Sequence, residues 1–193
     1  MVTRATLQRE YDQPVLFDGG CGCGALLNAF DRTHAYARTL GMDASKEMIR
    51  LGRDKFGFPS DKLLSGSIDC VPFTNGSLTL INTSQVLEHI ADESVDMVFS
   101  EFYRLLKAGG RMFHHYDALK HGDAADAYSF DPTHVNIKPQ AYWTAHFVKA
   151  GFLPDFESYD RFVRSNETLT GDITSKTFFN EYRNWSVSTW IKP

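Results

Sequence analysis

The chain has 193 residues, 42% of them apolar and 23% charged, which is the usual composition of a soluble globular protein with one hydrophobic core. Its net charge of −4 disfavours a nucleic-acid partner, because binding to phosphates needs a basic face. No apolar run is long enough to cross a bilayer, so we expect no membrane partner. No signal peptide precedes the first predicted strand and the number of cysteines is odd, so we expect a cytoplasmic protein.

Apolar strand-like segments alternate with helical segments from Val15 to Tyr116. The sequence predicts strands at Val15–Asp18, Arg38–Asp43, Lys62–Ser65, Leu78–Thr83 and Arg111–Tyr116, and helices at Ala25–Arg32, Lys46–Phe56 and Glu93–Lys107. The last of these helices carries six apolar residues at helical spacing. We expect Gly109 and Gly110 to end it in a left-handed C-cap.

The remainder of the chain predicts a helix at Pro139–Lys149 and strands at Phe156–Arg164 and Trp185–Ile191. We expect the two closing strands to form a hairpin at the edge of the sheet, because no clear helix separates them. The alternation of strands and helices indicates an α/β fold, a parallel sheet with helices on both faces. Nothing in the sequence marks a domain boundary, so residues 1–193 are predicted to form one domain.

The stretch "VLFDGGCGCGALLNAF" places four glycines between the first strand and the first helix. A phosphate cradle, a metal or redox site, and a pocket for a cofactor without phosphate all remain open for such a loop. Against a metal site, a structural zinc site normally needs four ligands, and Cys21 and Cys23 have no second cysteine pair. We therefore interpret both cysteines as small residues in a tight turn.

Two acidic residues near this loop indicate which type of cofactor it could hold. The glycines match the G-x-G-x-x-G/A dinucleotide pattern, but Asp18 immediately before them would repel a pyrophosphate and favour a cationic ligand. Asp43 ends the second predicted strand, where a carboxylate can accept hydrogen bonds from a ribose diol. The ligand then has a ribose, a positive charge and no phosphate, as S-adenosylmethionine does.

The same residues resemble those of class I S-adenosylmethionine-dependent methyltransferases of the type 11/12-like group. "FDGGCGCG" resembles the family's "LDVGCGTG", "LGMDASKEMI" resembles "VGVDISPEMI", and "EFYRLLKAGGRMF" resembles "EIYRVLKPGGRLL". "GSIDCVPFTNGSLTLINTSQVLEHI" and "DPTHVNIKPQAYWTAHFVKAGF" also have counterparts there, so the resemblance covers about Val15 to Gly151. It implies a Rossmann-like, doubly wound, mostly parallel seven-stranded sheet whose last strand is reversed.

The resemblance also implies which residues hold S-adenosylmethionine and release S-adenosylhomocysteine. The loop would pack against the methionine part, Asp18 would hold the ammonium, Asp43 the ribose, and the residues after the third strand the adenine. The full set of cofactor-binding residues is Asp18, Gly20, Cys21, Gly22, Gly24, Asp43, Ala44, Met48, Ser67, Ile68, Asp69, Ser84 and Gln85.

The chain departs from the family pattern at three places. Leu78 and Thr79 stand where the fourth strand usually begins with an acid, and Ser67 stands where an acid often contacts adenine, so Asp69 is a substitute there. Residues 1–13 form a short extension and lack a full helical cap over the substrate. The site is therefore expected to be more open, or to be closed by a partner subunit in a homodimer.

The acceptor side offers several histidines. A run of polar residues follows the fifth predicted strand and comprises His114, His115, Asp117, His121, Asp123, Asp126, Asp131 and His134. No spacing in this run is diagnostic of a metal site, and we expect no metal. His134 in "DPTHVN" is our first candidate for a base or orienting donor, with Asp131 as its orienting residue, and His89 and His115 are the next candidates.

The resulting hypothesis is a methyltransferase that acts on oxygen or nitrogen of a small molecule of sugar or metabolite type. A macromolecular acceptor and an S-adenosylmethionine-binding protein without catalysis remain open as alternatives. A nicotinamide dehydrogenase is disfavoured by Asp18 and by the C-terminal pair of strands.

Overall fold

The computed structural model of the protein describes residues 14–117, 131–159 and 185–193. Its strands are β1 (Val15–Gly19), β2 (Arg38–Asp43), β3 (Leu63–Ser65), β4 (Leu78–Ser84), β5 (Leu106–Asp117), β6 (Leu153–Pro154) and β7 (Trp185–Ile191). Its helices are α1 (Ala25–Thr33), α2 (Lys46–Phe56), α3 (Val95–Leu105) and α4 (Gln140–Lys149), with short 3₁₀ turns at Leu87–His89 and Asp92–Ser94.

The seven strands form a single sheet in the order β3-β2-β1-β4-β5-β7-β6. Neighbouring strands from β3 to β5 are parallel, whereas β7 runs antiparallel to both β5 and β6. The chain moves outward from β1 to β3 and then returns to place β4 on the other side of β1. The predicted seven-stranded, mostly parallel sheet with a reversed last strand is confirmed.

Helices cover both faces of this sheet. Alternate residues of β1 point to opposite faces, so Leu16 joins one apolar cluster and Phe17 the other. Leu27 of α1 and Ile49 of α2 pack with Leu16, while residues of α3 and α4 pack with Phe17. This doubly wound arrangement leaves the carboxyl ends of β1, β2 and β4 together at one edge.

The boundary between α3 and β5 differs from the sequence prediction. Helix α3 ends at Leu105, and β5 already begins at Leu106, so the expected glycine C-cap at Gly109 and Gly110 is wrong. Gly109 has a φ of 74°, but its N–H donates to Lys192 O at 2.8 Å. The pairing with the chain after β7, together with a register shift against β4, draws these residues into the sheet.

The first closing strand is also placed differently from the prediction. Strand β6 is Leu153–Pro154, and residues 156–159 are helical, so the predicted strand at Phe156–Arg164 is wrong over its described part. Residues 160–164 lie outside the described residues, as do the 1–13 extension and the segment that contains His121, Asp123 and Asp126. The expected antiparallel pair at the sheet edge is present as β6 and β7.

Thr79, one of the two residues that stand where the family usually has an acid, makes a structural hydrogen bond at the amino end of β4. The hydroxyl of Thr79 accepts a hydrogen bond from the backbone N–H of Val15 at 3.1 Å and so ties β4 to the start of β1.

Among the described residues, no helix combines the length and the apolar character needed to cross a bilayer.

Candidate functional site

The loop between β1 and α1 is held against the end of β2. Met42 O accepts the backbone N–H groups of Gly20 at 2.8 Å and Cys21 at 3.1 Å, and Gly24 N donates to Cys21 O at 2.8 Å. Gly20, Gly22 and Gly24 all have positive φ, which favours glycine at each of these positions. The loop therefore has a fixed, tight shape before any ligand arrives.

The three glycines of this loop differ in what they make room for. A Cβ at Gly20 would lie 2.4 Å from Val86 Cγ2, and one at Gly24 would lie 2.8 Å from the ring of Phe58. A Cβ at Gly22 would meet nothing closer than Met48 Cε at 3.6 Å. Gly20 and Gly24 thus allow the protein to pack on itself, and Gly22 leaves space beside the loop.

Asp43 connects the end of β2 to both the glycine loop and α2. Its Oδ2 accepts the backbone N–H of Gly22 at 2.7 Å, and its Oδ1 accepts that of Ser45 at 2.8 Å. Ser45 in turn caps α2, because its hydroxyl accepts the N–H of Met48 at 3.2 Å. A carboxylate offers about four acceptor positions, so Asp43 can accept further hydrogen bonds from a diol.

Asp18 lies behind the loop and is only 2% exposed. The pKa of its carboxyl is raised to about 6, mainly by burial and to a smaller extent by the nearby charge of Asp43, and the hydrogen bond from Asn82 Nδ2 to Asp18 Oδ1, at 2.7 Å, opposes this rise. Asp18 is therefore a carboxylate whose charge is costly in the absence of a cationic neighbour. A ligand cation would stabilise its ionised form.

A cavity of about 460 Å³ opens at the carboxyl ends of these strands. It brings together seven of the predicted cofactor residues from four separate segments, and these are Gly20, Asp43, Ala44, Ser67, Ile68, Asp69 and Gln85. His89, predicted for the acceptor, also lines it. The sequence did not predict the remaining wall, formed by Gly66, Val86, Ile90, Ala91, Ser94 and Val98. The sequence held a signal for this wall, because Gly66 directly precedes Ser67 and the other wall residues follow β4 in the chain.

Gln85 is held in an unusual conformation at the wall of this cavity. It has a φ of 56° although it is not glycine, and its backbone N–H donates to His115 O at 2.7 Å. Its side-chain Nε2 is buried and has no hydrogen-bond partner within the described parts of the chain. An amide donor in this state fits a site that binds a ligand with acceptor oxygens.

Several predicted cofactor residues do not line the cavity. These include Asp18 behind the loop, Gly22 and Gly24 within it and Met48 in α2, and the thiol of Cys21 points toward Gly41, inside the protein. Burial, followed by the charges of Asp18 and Asp43, raises the pKa of the Cys21 thiol, so it stays protonated. All three cysteines are free thiols, and Cys21 contributes its backbone, not a reactive sulfur.

Ser84 and His115 face a different space. They line a second cavity of about 520 Å³ between α1 and strands β4, β5 and β7, and Ser84 Oγ lies 3.2 Å from His115 Nδ1. Because Ser84 and Gln85 are consecutive, the two cavities flank the carboxyl end of β4.

The structure separates the predicted histidines. The rings of His89 and His134 meet edge to face with their centroids 4.6 Å apart, so two of the acceptor candidates lie together. His134 Nε2 is 3.8 Å from Asp131 Oδ2, consistent with the predicted pair. His114 is instead a core residue: it is fully buried, its Nδ1 lies 2.6 Å from Thr83 Oγ1, and burial lowers its pKa to about 3.

The chain matches the family described as "Methyltransferase domain" over residues 17–114, just over half of its length. Among curated proteins it is 30% identical over 96 residues to the malonyl-[acyl-carrier protein] O-methyltransferase of Legionella pneumophila, over 49% of this chain and 33% of that protein. The chain spans 28% to 37% of the length of the curated relatives it matches.

Solved structures share the fold over nearly the whole chain. A putative methyltransferase from Bacillus halodurans C-125 superposes with a TM-score of 0.69 and 18% identity, covering 98% of both chains. A putative methyltransferase solved in complex with the Haloferax volcanii Trm112 methyltransferase activator gives a TM-score of 0.68 at 21% identity, covering 94% of this chain and 83% of that one.

Proposed function

The chain belongs to the methyltransferase domain family, and from that membership we propose that it binds S-adenosylmethionine in the 460 Å³ cavity and methylates an oxygen or nitrogen of a small molecule. The observation that carries this proposal is the convergence of Gly20, Asp43 and Ser67–Asp69 on one cavity. They are the residues assigned to the cofactor from the sequence, and they come from three different loops.

Each part of the cofactor has a suitable group in the chain. Asp43 accepts hydrogen bonds from the ribose, Ser67 to Asp69 flank the adenine, and the buried charge of Asp18 attracts the ammonium end from behind the loop. Gln85 Nε2 donates to an acceptor oxygen of the bound ligands. When bound, S-adenosylmethionine supplies a methyl carbon that its sulfonium already activates, so the protein mainly has to position two ligands.

We place the acceptor beside His89 and His134, which adjoin the cavity after β4 and before α4. These side chains contact the acceptor and assist the loss of its proton as the methyl group arrives. His115 is the alternative, at the second cavity beside Ser84.

Oxygen is the target named for the Legionella relative, and this supports an oxygen acceptor here. The Haloferax neighbour was solved with an activator protein, and this supports a partner protein for this chain as well. The acceptor and the partner both remain proposals, since the chain spans only about a third of its curated relatives.

Asp43→Ala tests the cofactor assignment by calorimetry with S-adenosylhomocysteine. The substitution removes the hydrogen-bond acceptor for the ribose and releases the N–H of Gly22, and we expect affinity to fall about 100-fold or more. Asp43→Asn retains one acceptor oxygen and should lie in between. Asp54→Ala is the matched control, because Asp54 is an exposed acid on α2 that pairs only with Arg50 in the described structure. An Asp43→Ala protein that binds as tightly as the Asp54→Ala control would refute the assignment.

A further inference from the structure

Three side chains with metal-binding atoms meet beside the cavity. Glu88 and His89 lie in the 3₁₀ turn after β4, His134 lies in the loop before α4, and one ligand atom from each lies within 4.8 Å of the others. The sequence led us to expect no metal, but from this arrangement we propose that Glu88, His89 and His134 bind a divalent first-row transition metal ion. We refer to these three residues as the metal triad.

The hydrogen bonds of His89 use one ring nitrogen and leave the other for an ion. His89 Nδ1 lies 3.0 Å from both the carbonyl oxygen and the hydroxyl oxygen of Thr133. The hydroxyl of Thr133 donates its own proton to Asp131 Oδ1 at 2.6 Å, so both oxygens of Thr133 can only accept. Nδ1 of His89 must therefore carry a proton, so Nε2 is the ring nitrogen that can bind an ion. A backbone carbonyl that fixes the tautomer in this way is typical of metal-binding histidines.

The two segments that carry the metal triad are tied to each other before any ion binds. Asn136 N donates to Glu88 O at 2.9 Å, and His89 Nδ1 donates to Thr133 O, so the turn and the loop are joined at two points. The loop is braced within itself, because Asp131 Oδ1 also accepts the N–H of Thr133 at 2.8 Å. Ligands held by such bonds need little rearrangement to close around an ion.

The types of ligand indicate the class of metal. Two imidazoles and one carboxylate bind zinc in hydrolytic enzymes and iron in oxygenases, and both kinds of site keep open positions for a substrate. Magnesium and calcium prefer oxygen ligands throughout. Glu88 has no exposed surface, and a bound cation would offset the cost of burying its charge.

The position of the metal triad indicates what the ion would hold. His89 belongs both to the triad and to the cavity wall, so the ion would lie next to the proposed cofactor. With both histidines bound to the ion, its open positions would take a hydroxyl oxygen of the acceptor and make that hydroxyl more acidic, in place of direct contact between the histidines and the acceptor. This role rests on the proposed methyl transfer, whereas the binding of the ion does not.

The test is a titration of chelator-treated protein with Co²⁺, followed by visible absorption and repeated with Zn²⁺ as competitor. We expect one Co²⁺ per chain, a d–d band that Zn²⁺ removes, and binding at least about tenfold weaker in His89→Gln, His134→Asn and Glu88→Gln. His34→Asn is the matched control, since His34 is exposed and follows α1 at the opposite edge of the sheet. Circular dichroism checks the fold of each variant, and the two histidine variants suffice if Glu88→Gln does not fold.

Calorimetry with S-adenosylhomocysteine on the same proteins separates this inference from the proposed function. Parent protein that binds the nucleoside but no Co²⁺ would overturn the metal triad alone. Co²⁺ binding that is unchanged in both folded histidine variants would overturn it as well. Protein that binds Co²⁺ at the triad but not the nucleoside would support the metal site and refute the proposed function.

Discussion

Asp18 illustrates how much of a residue's role depends on neighbours that are distant in the sequence. Its position at the tip of β1 was evident from the sequence, and so was its preference for a cationic ligand. The pKa of its carboxyl was not evident from the sequence, because this pKa depends on burial and on the hydrogen bond from Asn82. Asn82 lies 64 residues away in the chain, in β4, and directly opposite Asp18 in the parallel pairing. The carboxyl is consequently half protonated near pH 6 in the free protein.

The raised pKa of Asp18 predicts how cofactor affinity depends on pH. Below about pH 6 the carboxyl must lose a proton before it can attract the ammonium, so the affinity for S-adenosylmethionine should fall by up to tenfold for each pH unit below that value and level off above it. Calorimetry between pH 5 and pH 7 measures this dependence. Asp18→Asn should bind more weakly at pH 7 and show a much flatter profile, and equal slopes for the two proteins would contradict the assignment.

The predicted cofactor residues that line the cavity are mainly those placed by strand ends. Asp43 is the last residue of β2, and Ser67 to Asp69 follow β3, so the parallel sheet alone brings them to one edge. The exact roles of the glycines and of Ser84 could not be read in the same way. Gly20 faces Val86, and Ser84 turns to the opposite side of β4 from Gln85, and both facts depend on how separate loops pack.

At the scale of secondary-structure elements, the predicted bounds of Arg38–Asp43 and Lys46–Phe56 are confirmed, whereas the prediction failed at the end of α3 and at the first closing strand. The apolar spacing in α3 marked the helix correctly, and Val95, Val98, Phe99, Phe102 and Leu105 are all buried. The glycine pair beyond it looked like a helix end. It is instead part of β5, because the backbone there pairs with Lys192, more than 80 residues later in the chain. Local spacing cannot reveal a partner at that distance.

The close contact between Gly20 of the glycine loop and Val86 after β4 predicts how much two glycine substitutions lower the free energy of unfolding. Gly20→Ala places a Cβ against Val86, whereas Gly57→Ala has a similar φ of 69° and meets nothing within 4 Å. We expect Gly57→Ala to cost about 1 kcal/mol from backbone strain alone and Gly20→Ala to cost clearly more, by roughly 1–3 kcal/mol of overpacking.

Urea denaturation measures both costs, and a second substitution identifies their cause. In a Val86→Ala background the two γ-carbons that Gly20→Ala would strike are absent, so the cost of Gly20→Ala should fall toward that of Gly57→Ala. An unchanged cost in that background would mean that Gly20 is required for some other reason.

At the scale of the whole molecule, the alternation of strands and helices was sufficient to predict the doubly wound sheet. It could not reveal which polar residues the sheet would bury. The sequence analysis grouped His114 with a run of polar residues on the acceptor side, but it lies within β5, where the pairing of β4 with β5 and the packing of α3 and α4 enclose it among Phe99, Phe102 and Phe147. It is a neutral core residue.

His114 should therefore make the free energy of unfolding depend on pH. Its folded pKa is about 3 and its unfolded value is 6.5, so its contribution is complete above pH 6.5 and is lost as the pH falls, by up to about 1.4 kcal/mol per pH unit. In His114→Asn, the loss of stability between pH 6.5 and pH 4.5 should be smaller by about 2–3 kcal/mol than in the parent protein. Denaturation by urea at both values checks this, and the exposed His34→Asn variant should keep the parent slope.

The place of β7 in the sheet limits the order in which the sheet can assemble. Strand β6 precedes β7 in the chain, yet its only strand partner in the described sheet is β7, which separates it from β5. The five parallel strands can pair as soon as β5 is present, but β6 has to wait until a strand more than 30 residues later has inserted. Pairing between strands so far apart in the chain is slow compared with local pairing. Refolding should accordingly pass through a species whose parallel sheet has formed and whose β5 edge is still exposed to other chains.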